Sequence, residues 1–215
     1  MPLTVLLTAL AIAPRATLSQ TPDQAQAQDQ ASDHTLPPAD LPPDRPQLAF
    51  AAEYRIEINV GGRFAWGRRR LFLSGALLRD ELLDGDVDRA TLIADRDSNL
   101  LLRFDPDDAA KIAKRLAWND GRALPFMAQG YGIVAQRLGP PRLIGQREIV
   151  GQSCTRLVWE AVGERQEWCI TPEGLVLAAR RNAGVNETKI EALLVEFAQP
   201  DAGLFALPAG FVAQE

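Results

Sequence analysis

Histidine is nearly missing from this chain: among 215 residues there is only His34, in a polar stretch near the amino terminus. Histidine is the commonest general base in enzymes and a frequent metal ligand. Neither Ser74 nor Ser153 lies in the G-x-S-x-G context of a nucleophilic serine, and no histidine is available nearby in the sequence to activate either. We therefore predict that the protein is not an enzyme and has no catalytic residues.

Metal-binding patterns are also lacking. The acidic stretches 84–88 and 95–99 begin like calcium loops, but such a loop has Gly at its sixth position and Glu at its twelfth. Those positions hold Arg89 and Asp95 in the first stretch and Leu100 and Pro106 in the second. We interpret both stretches as turns, in which Asp and Asn cap the backbone, and predict no metal and no cofactor.

A site built from paired carboxylates, as in glycosidases, stays open because pairing in space is invisible in a sequence. The residues considered for it are Glu187, Glu191 and Glu196. We interpret these glutamates as exposed positions of a strand.

Cysteine is as scarce as it is informative, since Cys154 and Cys169 are the only two. They lie in two alternating segments separated by a short turn, and both are equidistant from a turn centred on Ala161 and Val162. Neighbours across such a hairpin lie about 4.5–5.5 Å apart, within the roughly 4.4–6.8 Å that a disulfide requires. The spacing is far from C-x-x-C, so we predict a structural disulfide and an oxidising compartment.

No apolar run is long enough for a membrane span. Residues 3–13 form an apolar run of about eleven residues, which would be roughly 16 Å long as a helix. The core of a bilayer is about 30 Å thick. The run is typical of a signal peptide, although no Lys or Arg precedes it; a buried apolar amino terminus is the alternative. We predict a signal peptide at 1–19, a periplasmic protein and no transmembrane segment in the mature chain.

Composition divides the rest of the chain in two. Residues 20–47 are rich in Gln, Asp and Pro and poor in large apolar side chains, which predicts a disordered linker. Residues 48–215 are long enough for one domain with a sizeable core. Two arginines and five aspartates lie upstream, so this domain carries a charge of −2, which gives no electrostatic reason for nucleic-acid binding. The arginine run 68–70 is interpreted as a solvated strand face.

Alternation of apolar and polar residues predicts a large antiparallel sheet of about ten strands. Tyr54, Ile56 and Ile58 begin the pattern, and Gly61 and Gly62 turn the chain into the next strand. One helix is predicted at 105–116, from a capping aspartate, a proline at the first position and an apolar stripe. A second helix is predicted at 124–138, despite two glycines.

Three apolar residues are candidates for contact with a ligand: Trp159, Trp168 and Leu194. Alternation places both tryptophans on the strand face opposite to the cysteines, where they line an apolar cavity or pack into the core. Leu194 lies in the segment 190–197, which is apolar on both faces and therefore needs a cover of helix or ligand.

The order of these features resembles that of the LolA-like superfamily of periplasmic, lipoprotein-carrier-like envelope proteins. The resemblance covers about residues 48–211. The similarity is clearest in four segments of the carboxyl-terminal half: 145–154 with its cysteine, 168–174 with Trp-Cys-Ile-Thr-Pro-Glu-Gly, 196–200 and 204–211. They look more like uncharacterised members of the superfamily than like the true carrier.

The resemblance implies an α+β fold, in which a strongly curved antiparallel sheet, a half barrel, covers one or two helices. It also implies a non-enzymatic binding protein, with a lipid or a lipoprotein acyl chain in the concave face. The alternative is an envelope protein-interaction or stress-sensing module without a small-molecule ligand. No binding residue is transferred from the family to this chain.

Overall fold

Alternating residues build a single large sheet in the computed structural model, which describes residues 34–35, 41–44, 46–117 and 132–214. In this part of the chain thirteen strands, one helix and one 3-10 turn are present. The strands are β1 (His34–Thr35), β2 (Phe50–Val60), β3 (Arg63–Ser74), β4 (Leu77–Gly85), β5 (Thr91–Asp95), β6 (Leu100–Phe104), β7 (Ile112–Ala117), β8 (Arg142–Ile149), β9 (Gln152–Ala161), β10 (Glu164–Ile170), β11 (Val176–Ala183), β12 (Asn186–Glu196) and β13 (Val212–Gln214). Helix α1 is Gly132–Leu138 and the 3-10 turn is Ala202–Phe205.

The strands lie in the order β1-β8-β9-β10-β11-β12-β2-β3-β4-β5-β6-β7-β13. All neighbours are antiparallel except β13, which runs parallel to β7. Most neighbours in the sheet are also neighbours in sequence, because tight turns such as Gly61-Gly62 reverse the chain with positive φ values of 58° and 83°. The predicted α+β fold, a curved and unclosed antiparallel sheet with a helix, is confirmed.

The sheet has two faces of different chemistry, as β2 illustrates. Phe50, Ala52 and Tyr54 are buried on one face, whereas Glu53 and Arg55 point to the other. We call these the tryptophan face and the disulfide face, after the side chains that β9 and β10 place on each. The largest core cluster lies mainly on the tryptophan face and runs from β9 to β6: Phe50, Ala52, Tyr54, Ile56, Leu71, Leu78, Leu92, Ala94, Leu101, Leu157, Trp159, Trp168, Leu177, Ala179, Ile190 and Ala192.

The helix predicted at 105–116 is wrong. The Asp105 carboxylate accepts a hydrogen bond from the Asp107 amide, which closes a turn, and Lys111 has a φ of 51° before β7 begins. The apolar residues of this segment belong to a strand, in which Ala113 and Leu116 point to opposite faces. Ala113 joins a small cluster on the disulfide face, and Leu116 packs against the core of the other face. Tertiary pairing therefore overrides the helical pattern.

The second predicted helix is present in part. Helix α1 covers the last seven residues of the predicted range, and Val134 and Leu138 pack against the main core cluster. Residues 118–131 lie outside the described part of the chain.

Contacts of the domain extend upstream of residue 48. Leu41 packs against the main core cluster, and the Gln47 amide donates a 2.8 Å hydrogen bond to the Glu173 carbonyl. His34 and Thr35 pair with β8, although they fall in the predicted linker. Backbone pairing needs no apolar side chains, so the composition of this segment gave no sign of it. The predicted signal peptide, 1–19, lies outside the described residues.

The carboxyl-terminal segment covers one end of the disulfide face. Leu207 and Phe211 pack on the second core cluster, made of Ile93, Leu102, Phe104 and Ala113. The Phe211 ring lies 4.8 Å from that of Phe104. No helix in the described residues is long and apolar enough to cross a membrane.

The arginine run 68–70 is only partly a solvated face. Arg68 is exposed, but Arg69 is buried on the tryptophan face, where its Nε donates a 2.8 Å hydrogen bond to Asp80. Its two other nitrogens donate to the carbonyls of Asp88 and Ala90 at 2.6 and 2.7 Å. Because every one of these bonds compensates for lost water, the guanidinium can be buried.

Candidate binding groove on the disulfide face

The predicted disulfide joins Cys154 to Cys169, with 5.2 Å between the two Cα atoms. The predicted pairing register is wrong, because Cys169 lies opposite Arg156 and the bond is diagonal. Ala161 pairs with Glu164, so Val162 and Gly163 form the turn, with a φ of 78° at the glycine. A left-handed residue at this position favours a tight two-residue turn, and this shifts the register.

Both candidate tryptophans lie on the opposite side of this hairpin. Trp159 and Trp168 are buried with their ring centroids 5.7 Å apart in an edge-to-face arrangement. The Trp168 indole donates a 3.3 Å hydrogen bond to Gln166, and Val134 of helix α1 joins the same cluster. In the described part of the chain this face is therefore packed with side chains around the two rings.

An open groove of about 690 Å³ lies on the disulfide face. It spans β8 to β12 and β2, which are consecutive in the sheet. Its floor includes Cys169 and Ala178, directly opposite each other in the pairing of β10 with β11. The small Ala178 leaves space that a longer side chain would fill. The groove is lined by Arg55, Glu57, Arg147, Arg156, Glu167, Trp168, Cys169, Ala178, Ala179, Arg180, Lys189, Ile190, Glu191 and Leu193.

Curvature of the sheet brings the two sides of the groove close together. Arg147 of β8 and Glu191 of β12 form an ion pair with 3.5 Å between nitrogen and oxygen. These strands are four steps apart in the sheet, which is about 19 Å across a flat sheet. The two side chains meet because the sheet bends towards the disulfide face, so this region of that face is concave.

The walls of the groove are charged, with five cations against three carboxylates. Arg55 bonds Glu57 at 2.8 Å, and Arg156 bonds Glu167 at 2.8 Å. Arg180 reaches Glu187, next to the groove, at 2.6 Å. The groove therefore combines a floor of small side chains with walls of paired, partly exposed charges. Such an arrangement suits a ligand with a polar or charged part.

An apolar border adjoins these charges on β12. Leu193 lines the groove, and Leu194 pairs with Glu53, which shares the disulfide face with Arg55. The pairing shifts between Ala192 and Leu194, so Leu193 is an extra residue in the strand. The two leucines are 45% and 46% exposed. Two adjacent leucines are therefore accessible beside the groove. Of the three sequence candidates, Leu194 is the one with an exposed side chain on this face, whereas Trp168, also in the lining, has its side chain buried on the opposite face.

Glu164 attaches helix α1 to the hairpin. It accepts hydrogen bonds from Arg137 at 2.7 Å, Arg181 at 2.8 Å and Gln166 at 2.8 Å. The Arg137 guanidinium, assisted by Arg181 and Gln166, lowers the pKa of Glu164 to about 2. The carboxylate is charged at neutral pH and holds the last turn of the helix against β10.

Asp88 and Asp95 in the acidic stretches close turns, as predicted, whereas Asp86 bonds to the neighbouring strand β3. Asp86 accepts a 2.6 Å hydrogen bond from the Trp66 amide, and Asp88 accepts one of 3.0 Å from Ala90. Asp95 accepts a 3.0 Å bond from Asp97. Among the described residues no three His, Cys, Asp or Glu side chains converge as a metal site.

Comparison with known proteins shows similarity in structure and none in sequence. No protein-family model matches the chain, and neither does any curated protein. An uncharacterised conserved protein from Thermus thermophilus is 12% identical, with a TM-score of 0.51 over 78% of this chain and 91% of that one. The MucA/MucB complex of Pseudomonas aeruginosa gives 16% identity and a TM-score of 0.50 over 77% of this chain and 57% of the other.

A domain from Vibrio parahaemolyticus described as a putative outer membrane lipoprotein-sorting protein gives 11% identity and a TM-score of 0.36, over 73% of this chain and 88% of that one. Its TM-score is too low to support an argument. At these identities the first two similarities show a common fold alone.

The sequence predicted the disulfide but missed the groove above it. Its charged residues alternate with buried ones along β11 and β12, as any solvated strand face does. The sequence does contain two like charges that mark the groove, Arg180 and Lys189. They can be recognised as neighbours only when the register between β11 and β12 is known.

Proposed function

We propose that this chain is a non-enzymatic periplasmic binding protein, LolA-like in family as well as in fold, that holds a lipid or a lipoprotein acyl chain on the disulfide face. The observation that carries the proposal is the open groove of about 690 Å³ with Leu193 in its wall. Its volume lies within the roughly 300–1,000 Å³ of small-molecule sites.

Leu193 and Leu194 are the proposed contacts for the acyl chain. Both are nearly half exposed although they lie within a long strand, where a buried or polar residue is usual. Burial of such surface by an acyl chain contributes about 25 cal/mol per Å². We propose that Trp159 and Trp168 act from behind, as the packed layer that fixes the strands beneath the groove.

The proposed compartment rests on two independent features. The disulfide persists in oxidising compartments such as the periplasm, and the apolar run at 3–13 is typical of an export signal. The proposed organisation is a signal peptide at 1–19, a linker at 20–47 and a LolA-like domain at 48–215. Part of the linker contacts the domain, through the pairing of His34 and Thr35 with β8 and the packing of Leu41.

Native mass spectrometry of the full chain, expressed with its leader and purified from the periplasm, tests the proposal. We expect a mass increment that corresponds to a lipid or acylated molecule, or uptake of one after incubation with phospholipid vesicles or an acylated peptide. A protein that remains empty under all of these conditions would contradict the proposed function.

Matched variants locate the site. Leu193→Ser and Leu194→Ser should reduce uptake, because each removes apolar surface beside the groove without opening the core. Val185→Ser, at an exposed hairpin tip, removes a similar apolar side chain elsewhere and should have no effect. Equal losses in all three variants would argue against a site on β12.

A protein-interaction module is the second candidate, because the groove walls consist of charge pairs of the kind found at the rim of protein interfaces. The structural neighbour solved as a complex, MucA/MucB, shows that a protein of this fold can have a protein partner. Crosslinking in the periplasm would recover a defined partner, and substitutions at the rim would reduce it more than substitutions on the groove floor.

A further inference from the structure

Building on the proposed function, we infer that the groove recognises the phosphate of an anionic phospholipid, which it holds between Arg180 and Lys189. These residues lie directly opposite each other in the pairing of β11 with β12. Directly opposed side chains have Cβ atoms about 4.5–5.5 Å apart, and like charges in that position repel each other. A phosphate between them converts that repulsion into two attractions.

The carboxylates nearby do not neutralise the pair. Among the described residues, Arg180 and Lys189 share one ion-pair partner, Glu187, at 2.6 and 3.4 Å. Glu57 lies opposite Lys189 on the other side, but Arg55 bonds it at 2.8 Å. Glu167 lies opposite Arg180 in β10, but Arg156 bonds it at 2.8 Å. Four cations, Arg55, Arg156, Arg180 and Lys189, therefore share three carboxylates in this part of the groove, and one positive charge is in excess.

In the two ion pairs formed by Arg55 and Arg180, the cation is more exposed to solvent than the carboxylate. The side chains of Arg55 and Arg180 are both 56% exposed, whereas their partners Glu57 and Glu187 are both 28% exposed. A ligand that approaches this end of the groove therefore meets these two guanidinium groups before their carboxylates. Arginine also offers a planar fork of donors that fits phosphate oxygens.

The apolar residues distinguish a lipid from an acidic peptide. Lys189 and Leu193 are four residues apart on β12, which is about 13 Å along a strand. A phosphate at Lys189 therefore directs an attached acyl chain along β12 towards Leu193 and Leu194. An acidic peptide would satisfy the cations but would leave the leucines exposed.

Vesicle binding tests the inference. The full chain is incubated with vesicles of phosphatidylcholine alone and with vesicles that contain phosphatidylglycerol, and bound protein is measured by flotation. We expect at least about tenfold tighter binding to the anionic vesicles, with a preference that declines as salt is added.

Charge-removal variants assign this preference to the two residues. Arg180→Gln with Lys189→Gln should lower affinity for the anionic vesicles about tenfold and leave binding to phosphatidylcholine unchanged. Arg89→Gln with Lys114→Gln removes the same charge from exposed positions outside the groove and should change affinity by less than about twofold. Far-UV circular dichroism and the urea midpoint verify that each variant is folded.

The outcomes separate the two proposals. Uptake of lipid without any preference for phosphatidylglycerol, or an equal loss in the control pair, overturns the inference and leaves the proposed function intact. No uptake from either vesicle overturns both. Stronger binding of an acidic peptide, or of inorganic phosphate alone, would also overturn the inference, in favour of a protein partner or a free-ion site.

Discussion

Arg69 and Asp80 form a buried ion pair on the tryptophan face, with 2.8 Å between Nε and Oδ1. Both side chains are almost inaccessible, and Arg69 also bonds the carbonyls of Asp88 and Ala90. The guanidinium thus joins β3 and β4 to the loop that leads into β5. Substitution of either Arg69 or Asp80 alone would therefore leave the other charge unpaired in the core.

Arg69→Met should lower the free energy of unfolding by about 3–5 kcal/mol, because it leaves Asp80 unpaired in the core and two carbonyls without donors. The double variant with Asp80→Leu should recover part of the loss, since no charge then remains buried. Urea unfolding of the single and double variants measures this. Arg70→Met, which breaks a pair between the partly exposed Arg70 and Glu53, is the control and should change stability by less than about 1 kcal/mol. Additive losses at positions 69 and 80 would contradict the prediction.

Loss of the disulfide should destabilise the protein without abolishing the sheet. Cys154 and Cys169 are separated by 15 positions, and closure of such a loop contributes about 3 kcal/mol. Urea unfolding of the oxidised protein and of Cys154→Ala with Cys169→Ala measures the difference, and thiol titration verifies the oxidised state. An unchanged urea midpoint would show that the bond does not constrain the unfolded chain.

Acid should weaken the attachment of helix α1. Glu164 has a pKa of about 2 in the folded protein, below the value of about 4.3 in an unfolded chain. Its contribution to stability is therefore complete above about pH 5 and is lost as the pH falls towards 2. Glu164→Gln should be less stable than the wild type at pH 7, and this difference should shrink as the pH is lowered. A difference that is constant from pH 7 to pH 3 would rule out this role of the carboxylate.

Gly85 should tolerate no side chain. A Cβ atom there would lie 2.3 Å from the Trp66 carbonyl oxygen, and the glycine has a φ of 115°. Gly85→Ala should therefore cost about 2–4 kcal/mol. Gly184→Ala is the matched control, because that glycine has a φ of 60° and open space around it. It should cost about 1 kcal/mol. Thermal unfolding compares the two, and similar losses would show that the contact with Trp66 is relieved by movement.

The sequence was sufficient for those features that depend on local pattern. Alternation along β2 and β3, and the glycines between them, predicted that hairpin correctly. The helix at 105–116 failed because Ala113 and Leu116 fit a helical stripe and a strand with two buried faces equally well. Only pairing with β6 and β13 decides between them, and that information is not local.

The groove was beyond reach for a related reason. Arg147 and Glu191 are far apart in the sequence and lie on strands four steps apart in the sheet. Their contact therefore depends on how strongly the sheet bends between them. The excess charge at Arg180 and Lys189 depends on register, and the predicted register of the cystine hairpin was itself shifted. Curvature and register are products of the whole sheet.

The parallel pairing of Val212–Gln214 with β7 has a practical consequence for handling this protein. These three residues cover part of the backbone of an outer strand. Their removal would present uncovered amide and carbonyl groups to other molecules, and sheets join edge to edge into aggregates through such groups. A shortened carboxyl terminus should therefore promote self-association.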